Sequence, residues 1–441
     1  MAPDGETAGT VGQFVALERD VLVLSLAMFA FSLAFQMTGR YVPEYLVFLG
    51  AGPVVVGLYG SLGNLLGAVY PYPGGALSDR IGSRTALTLF GLLTTLGFGV
   101  WLFAEAFPTV ATPAVDVGPA SVPALTVPVG VFVGLLLVQC WKSFGLGATF
   151  AIVKQSMAPG RLATGFASTE TVRRLAFLVG PLLAAAVLSA FAFGVGFRIV
   201  LAVAAGAALL GTVAQHVLYE AADGSPGGSV GGARQVIADV RSMPSQLPPL
   251  LVGDTLVRFG NGMVYSFFVI VVTRVLSVSV TLPVVGHLSP QAFFGVLLAV
   301  EMAVALLTMV PMAALSRRVG LKPVVALGFA VYAVFPALLI AAPADPLVVA
   351  ALFGVSGLRF AGLPAHKALV VGPAAQNAGG RVTGAYYLVR NAVVIPSALL
   401  GGVLYARSPA LAFGVASAVG LAGVVAFLAF GEEFEAAIAG A

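Results

Sequence analysis

Twelve long apolar runs, separated by short polar stretches, take up most of this chain. They cover residues 21–47, 54–76, 85–106, 127–152, 163–190, 196–219, 249–274, 291–315, 321–342, 346–370, 383–405 and 409–430. A helix that crosses a bilayer needs about 20 mostly apolar residues. Only 9% of the 441 residues are charged, against about 25% in a soluble domain. No soluble fold of this size could cover so much apolar surface, so lipid must be the solvent. The expected fold is all-α and integral to the membrane, with twelve transmembrane helices. The fourth, fifth, seventh and tenth runs contain charges, and those charges are the leads to function.

The chain also repeats itself. Ala76-Leu77-Ser78-Asp79-Arg80-Ile81-Gly82-Ser83-Arg84 returns 238 residues later as Ala314-Leu315-Ser316-Arg317-Arg318-Val319-Gly320-Leu321-Lys322. At the same offset Gly57 pairs with Gly295 and Pro73 with Pro311. An offset of 217 sets Lys142 over Arg359, Val172-Arg173 over Val389-Arg390, and Leu182-Leu183-Ala184-Ala185 over Leu399-Leu400-Gly401-Gly402. The offset falls because the nearly uncharged loop 107–126 has only a short counterpart at 343–345. Two similar six-helix halves in tandem point to a carrier that rocks one half against the other.

The boundary between the halves falls in the polar stretch that begins Ala221-Ala222-Asp223-Gly224-Ser225-Pro226. It reads as a flexible linker, followed by a short amphipathic surface helix from Arg234 to Met243. The organisation expected is an N-terminal segment 1–20, a bundle 21–219, a linker 220–247, a second bundle 248–431 and a tail 432–441. Alternate loops carry Arg80, Arg84, Lys154, Arg161, Arg234, Arg241, Arg317, Arg318, Lys322 and Arg381. The positive-inside rule then puts both termini and the linker in the cytoplasm of a multi-pass protein of the cell membrane. The first run reads as a retained span, with no basic region before it. The net charge of +4 belongs to these loops and gives no reason to expect nucleic acid. Cys140 is the sole cysteine and there are three histidines, so neither a disulfide within the chain nor a metal site is expected.

The stretch from Gly75 to Arg84 resembles the loop signature between the second and third helices of the major facilitator superfamily, Gly-x-Leu-Ala-Asp-Arg-x-Gly-Arg-Arg/Lys. Gly75, Leu77, Asp79, Arg80, Gly82 and Arg84 match, while Ser83 replaces a base and the second copy has Arg317 in place of the acid. The resemblance covers the whole chain and implies a secondary transporter whose first, fourth, seventh and tenth helices line a central cavity. Lys142, three residues before Gly145, resembles a fourth-helix Arg motif tied to proton transfer. Gly180-Pro181-Leu182-Leu183-Ala184-Ala185 resembles the fifth-helix Gly-Pro-x-x-Gly-Gly motif of antiporters, with Ala for both later glycines.

Physical arguments select the candidate residues. Gly75, Asp79, Arg80, Gly82, Arg84, Arg317 and Arg318 form a gating loop: an acid among bases adds nothing to anchoring but can hold a contact that closes one side. Charges inside spans are costly and should face a cavity or a partner. Gln36, Arg40 and Glu44 make one stripe on the first run; Asp254, Arg258, Asn261 and Tyr265 make another on the seventh. Asp254–Arg258 and Glu170–Arg174 have the spacing of local ion pairs. Lys142, Arg359 and Arg390 have no acid one turn away. Gln36, Arg40, Lys142, Asn261, Arg359 and Arg390 are therefore the cavity candidates. Glu301 is the single charge of the eighth run; isolated at mid-span, it leads the proton-coupling candidates, ahead of Glu44 and Asp254. Trp141, Tyr386 and Tyr387 could stack on a substrate. Gly180 and Pro181 are expected in helix packing.

No P-loop, serine triad or zinc-protease pattern is present in the sequence, so no catalytic residue and no cofactor are expected. The leading expectation is a monomeric secondary transporter of a small organic solute, driven by a proton or another ion, with proton-coupled export first. Uptake or exchange of an organic anion comes second, because bases outnumber acids within the runs. A membrane receptor or a lipid-modifying enzyme would need an extramembrane domain or a catalytic cluster, and neither is evident in the sequence.

Overall fold

The computed structural model describes residues 19–117, 120–122, 124–144, 162–218, 241, 243–283, 286–371 and 379–433. The ends, most of the linker with its expected surface helix, and the loop bases Lys154, Arg161 and Arg234 lie outside the described residues. Among the described residues nine helices are long and apolar enough to cross a membrane, or ten if the bent pair at the start is one span. Two shorter apolar helices, Pro53–Val69 and Val129–Ser143, fall on the second and fourth runs. Each of the twelve runs thus coincides with a helical segment.

These segments are numbered α1 to α12 in chain order. The first half holds α1 (Arg19–Thr38, bending into Val42–Phe48), α2 (Pro53–Val69, continued by Pro71–Ile81) and α3 (Ser83–Leu102). It continues with α4 (Val129–Gln139, ending in a π turn Cys140–Phe144), α5 (Leu162–Ala190) and α6 (Phe193–Leu218). The second half holds α7 (Leu247–Val264, continued to Val275), α8 (Pro290–Val319), α9 (Leu321–Ile340) and α10 (Pro346–Ala361, continued by Leu363–Val371). It closes with α11 (Gly379–Val394, then Ser397–Arg407) and α12 (Pro409–Phe430). The two pieces of α11 meet at Pro396, which has no N–H to continue the ladder.

The nearly uncharged loop 107–126 has regular structure. It is a β-hairpin: β1 (Thr109–Thr112) pairs antiparallel with β4 (Leu125–Pro128), and β2 (Val115–Val117) with β3 (Ala120–Val122). Val and Thr favour this extended backbone, and pairing satisfies polar groups that a loose loop would leave to water. A second hairpin, β5 (Val280–Leu282) with β6 (Gly286–Leu288), joins α7 to α8. Both hairpins lie at one end of the bundle.

At the opposite end stand the two repeated turns. Gly82 closes α2 and opens α3 with φ +81°; Gly320 does the same between α8 and α9 with φ +92°. That left-handed conformation favours glycine, which explains its recurrence in the repeat. Gly75, read with the loop, instead lies within the helical piece Pro71–Ile81.

The halves meet along two seams that the repeats also mark. On one, α2 packs against α11: Gly57 lies against Ala398, Leu399 and Gly402, where a Cβ would collide with backbone. On the other, α8 packs against α5: a Cβ on Gly295 would stand 2.5 Å from the Tyr41 hydroxyl, 2.6 Å from the Pro181 carbonyl and 2.9 Å from Ala185. Gly57 and Gly295 are equivalent at offset 238, and Ala185 and Gly402 at offset 217. Small residues let the helices approach without a driving force from water. Gly180, beside Pro181, lies against Gln36, Leu33 and Met37 of α1, where a Cβ would come within 2.8 Å of Gln36.

Candidate functional site

A cavity of about 1030 Å³ lies between the halves. It draws residues from ten of the twelve spans, all but α6 and α12, a wider set than the four the family resemblance implies. Six basic side chains line it: Arg40, Lys142, Arg173, Arg258, Lys367 and Arg390. No acid lines it among the described residues. Between the bases the wall is aromatic and amide, with Tyr59, Tyr265, Tyr332, Gln139 and Asn261 prominent.

The α1 stripe divides. Gln36 and Arg40 line the cavity, but Glu44 does not. The helix bends by 41° beyond Thr38, which turns Glu44 out of register with the other two. Glu44 is 1% exposed and joins the halves at the hairpin end. Its carboxylate accepts from Arg274 Nε at 3.0 and 3.1 Å, from Thr273 Oγ1 at 3.1 Å and from Gln291 Nε2 at 3.4 Å. Nearby, the Tyr41 hydroxyl donates to the Gln291 carbonyl at 3.1 Å, and Ser289 Oγ donates to the Leu188 carbonyl at 3.3 Å. These bonds hold the halves together at that end.

Glu301 is buried but not isolated. Arg359 Nη2 donates to it at 2.6 Å, Ser356 donates from its hydroxyl, and Arg40 Nη2 lies at 3.5 Å. Its isolation in the sequence was an effect of looking along one helix; its partners come from α10 and from α1. Arg359 is likewise not a cavity residue. It is 2% exposed, behind a wall formed by Tyr332 and Phe360, whose rings lie 5.1 and 4.8 Å from its Cζ. Its pseudo-equivalent Lys142 does line the cavity. The halves are therefore asymmetric here: Arg359 meets an acid on α8, and Lys142 has no acidic partner among the described residues. Arg40 stands between the two environments, with Cζ 4.0 Å from the Tyr265 ring, an attractive cation–π distance.

Asp254 organises a second buried cluster. It is fully buried and sits behind the wall. It accepts from Arg258 Nε at 3.2 Å, Arg390 Nη1 at 3.0 Å and the Tyr386 hydroxyl at 3.1 Å, with His366 Nε2 also at 3.1 Å. Arg258 also donates to the Tyr332 hydroxyl at 3.1 Å. The expected Asp254–Arg258 spacing thus belongs to a cluster spanning α7, α9, α10 and α11. Asn261 and Arg390 line the cavity as the sequence suggested. Of the aromatic candidates, Trp141 lines it, stacked on Phe31 at 4.1 Å; Tyr386 and Tyr387 do not.

Four cavity-lining groups keep a buried polar atom that no described residue bonds: the donors Arg40 Nη1 and Trp141 Nε1, and the acceptors Gln139 Oε1 and Asn261 Oδ1. The wall therefore offers hydrogen-bonding capacity of both kinds beside its positive charge.

The turn residues bond within their own halves. Arg84 donates from Nε to the His216 carbonyl at 2.8 Å, capping the end of α6. Its repeat partner Lys322 donates to the Leu428 carbonyl at 3.0 Å, near the end of α12. A cation at a helix C-terminus is favoured by the helix dipole. Glu433 accepts from the Leu321 and Lys322 N–H groups at 2.6 and 2.9 Å, so the start of α9 is capped as well. Arg80 is exposed, as are Arg317 and Arg318 in the last turn of α8. The side chains of Asp79 and Glu170 lie outside the described part.

Sequence reasoning passed over Arg173, Arg258 and Lys367 as cavity residues. Arg173 carried a signal, its register with Arg390 at offset 217. Arg258 was read as half of a local pair, which hid its other face. Lys367 had no signal beyond its place in a charged run.

No protein-family model matches the sequence, and no curated protein matches it. Solved structures do. A mutant of the nucleoside transporter NupG superposes with a TM-score of 0.71 at 13% identity, over 93% of this chain and 100% of that one. A POT family transporter in complex with 5-aminolevulinic acid gives 0.71 at 13% identity, over 95% and 99%. The peptide transporter POT in complex with sulfate gives 0.67 at 15%, over 96% and 98%. The chain has the major facilitator fold of these transporters.

Proposed function

We propose that this chain is a secondary transporter of a small organic anion, working by alternating access between its two halves. One observation carries the reading: six basic side chains and no acid among the described residues line the cavity. Two acids, Asp254 and Glu301, stand behind that wall and offset part of the charge. In a low-dielectric site the remainder favours an anion and repels a cation. The amide and aromatic groups between the bases suit an organic body over a bare inorganic ion. This moves uptake or exchange of an organic anion, by symport or antiport, ahead of the proton-coupled export suggested by the partial Gly-Pro motif.

The geometry supports a division of labour. The bonds of Glu44 with Arg274, Thr273 and Gln291 hold the hairpin end shut; breaking them opens the cavity on that side. With the termini inside, as the loop bases favour, the hairpin end faces out. Glu301 remains the coupling candidate in a changed form. Arg40 is shared between Glu301 and the cavity, so a substrate carboxylate that draws Arg40 away loosens the contact between α1 and α8. The protein acts as a monomer in the cell membrane, with a solute, a coupling ion and lipid as its partners and no chemical step of its own.

The test is ligand-induced stabilisation of the purified chain. A ligand bound only to the folded state raises its apparent stability. Carboxylates should raise the melting temperature and amines of matched shape should not. Stabilisation by amines alone would overturn the reading.

A further inference from the structure

The six cavity bases are not spread evenly. Arg173 sits on α5, which packs against α8 along one seam; Arg390 sits on α11, which packs against α2 along the other. The two residues are equivalent at offset 217 and face one cavity from opposite seams. Lys142 on α4 lies within electrostatic reach of Arg173. Arg258 and Arg390 share Asp254, and Lys367 follows His366, which also contacts it. Five of the six bases therefore fall into two clusters, one in each half; the sixth, Arg40, stands apart, against Glu301 and the Tyr265 ring. Apart from Arg40, which Glu301 holds, the wall between them is neutral: Gln139, Asn261, Tyr59 and Tyr265.

We propose that the cavity takes an elongated organic solute with two anionic groups, one held by Lys142 and Arg173 and the other by Arg258, Lys367 and Arg390. This deepens the anion reading and rests on it. A monoanion can meet only one cluster and leaves the other without contact to the solute. A dianion meets both, and its uncharged middle lies against the amides and rings. A volume of about 1030 Å³ leaves room for such a length, since pockets for drug-sized ligands hold about 300–1,000 Å³. Bridging the halves also gives the solute a direct hold on their relative position.

The experiment is titration of the full-length protein in detergent with matched acids: hexanoate against adipate, and benzoate against terephthalate. The dianion of each pair should bind about tenfold more tightly, as expected for one further charge-assisted contact. Arg173→Gln and Arg390→Gln should each remove that advantage while binding of the monoanion survives at the intact cluster. Arg390 bonds Asp254, so its variant could misfold. Lys367→Gln, exposed and without an acidic partner among the described residues, reads the same cluster independently. Equal affinity for both members of each pair would overturn the two-cluster inference and leave the anion reading standing. Tighter binding of 1,6-diaminohexane than of either acid would overturn the anion reading itself. Binding of none of the four acids would count against both.

Discussion

Replacing Glu301 by Gln keeps the side-chain shape and removes one charge. Arg359, with a side chain 1% exposed, then has no carboxylate beside it. Removing one partner of a buried ion pair costs about 3–5 kcal/mol, because the other charge stays buried and uncompensated. Arg40 loses a contact too, but a longer one at 3.5 Å, and it is 12% exposed and held over Tyr265. Its share is smaller, so the total stays in the range for a single pair. Arg359→Gln alone should also destabilise, by less, since Glu301 retains Arg40. The double variant, Glu301→Gln with Arg359→Gln, removes both charges and should recover more than half of the loss. Replacing a whole buried pair by neutral groups is often close to neutral. The assay is thermal unfolding of purified protein, followed by tryptophan fluorescence; where unfolding is irreversible, inactivation half-lives give the same ranking. If Glu301→Gln melts with the wild type, the acid is not a paired carboxylate and the isolated proton carrier returns. Losses that simply add in the double variant would show no coupling between the two residues.

Further outcomes follow from the same geometry. Gly295→Val places a Cβ within 2.6 Å of the Pro181 carbonyl; overpacking of this kind costs about 1–3 kcal/mol. It should open the α5–α8 seam, so that a cysteine at Gln291 in a Cys140→Ala background becomes reactive to an impermeant thiol reagent; unchanged protection would sink the seam reading. In intact cells the same reagent should label a cysteine at Ser121 and spare one at Ser225, and the reverse pattern would invert the topology. Asp79→Asn should slow flux much more than it weakens binding; unchanged flux at normal expression leaves the turn as an anchor only.

The fold was legible because its signals are local. Apolar runs declare helices in lipid, and a glycine that must adopt positive φ recurs wherever the turn recurs, at Gly82 and at Gly320. The hairpin at 109–128 was missed because hydropathy is blind to strand pairing in a connection between spans. The cavity bases Arg40, Lys142 and Arg390 could be found because a charge in hydrocarbon needs a reason. Arg359 was misread as a cavity residue, and Glu301 as an isolated acid, for the converse cause. Their partners lie 58 residues apart in sequence, on α8 and α10, and spacing along one helix carries no information about a contact between two. Glu44 leaves the stripe for a third reason: a stripe at i, i+4, i+8 assumes a straight helix, and α1 breaks between Thr38 and Val42.

The central claim is that this cavity carries an organic anion across the membrane. Its most direct test is uptake into proteoliposomes of the radiolabelled carboxylate that stabilises the purified protein best. The account predicts saturable uptake, faster when the same anion is loaded inside, competed by other carboxylates and not by amines, and weakened in affinity by Lys142→Gln. Uptake no greater than in protein-free liposomes, or competition by amines stronger than by carboxylates, would contradict it.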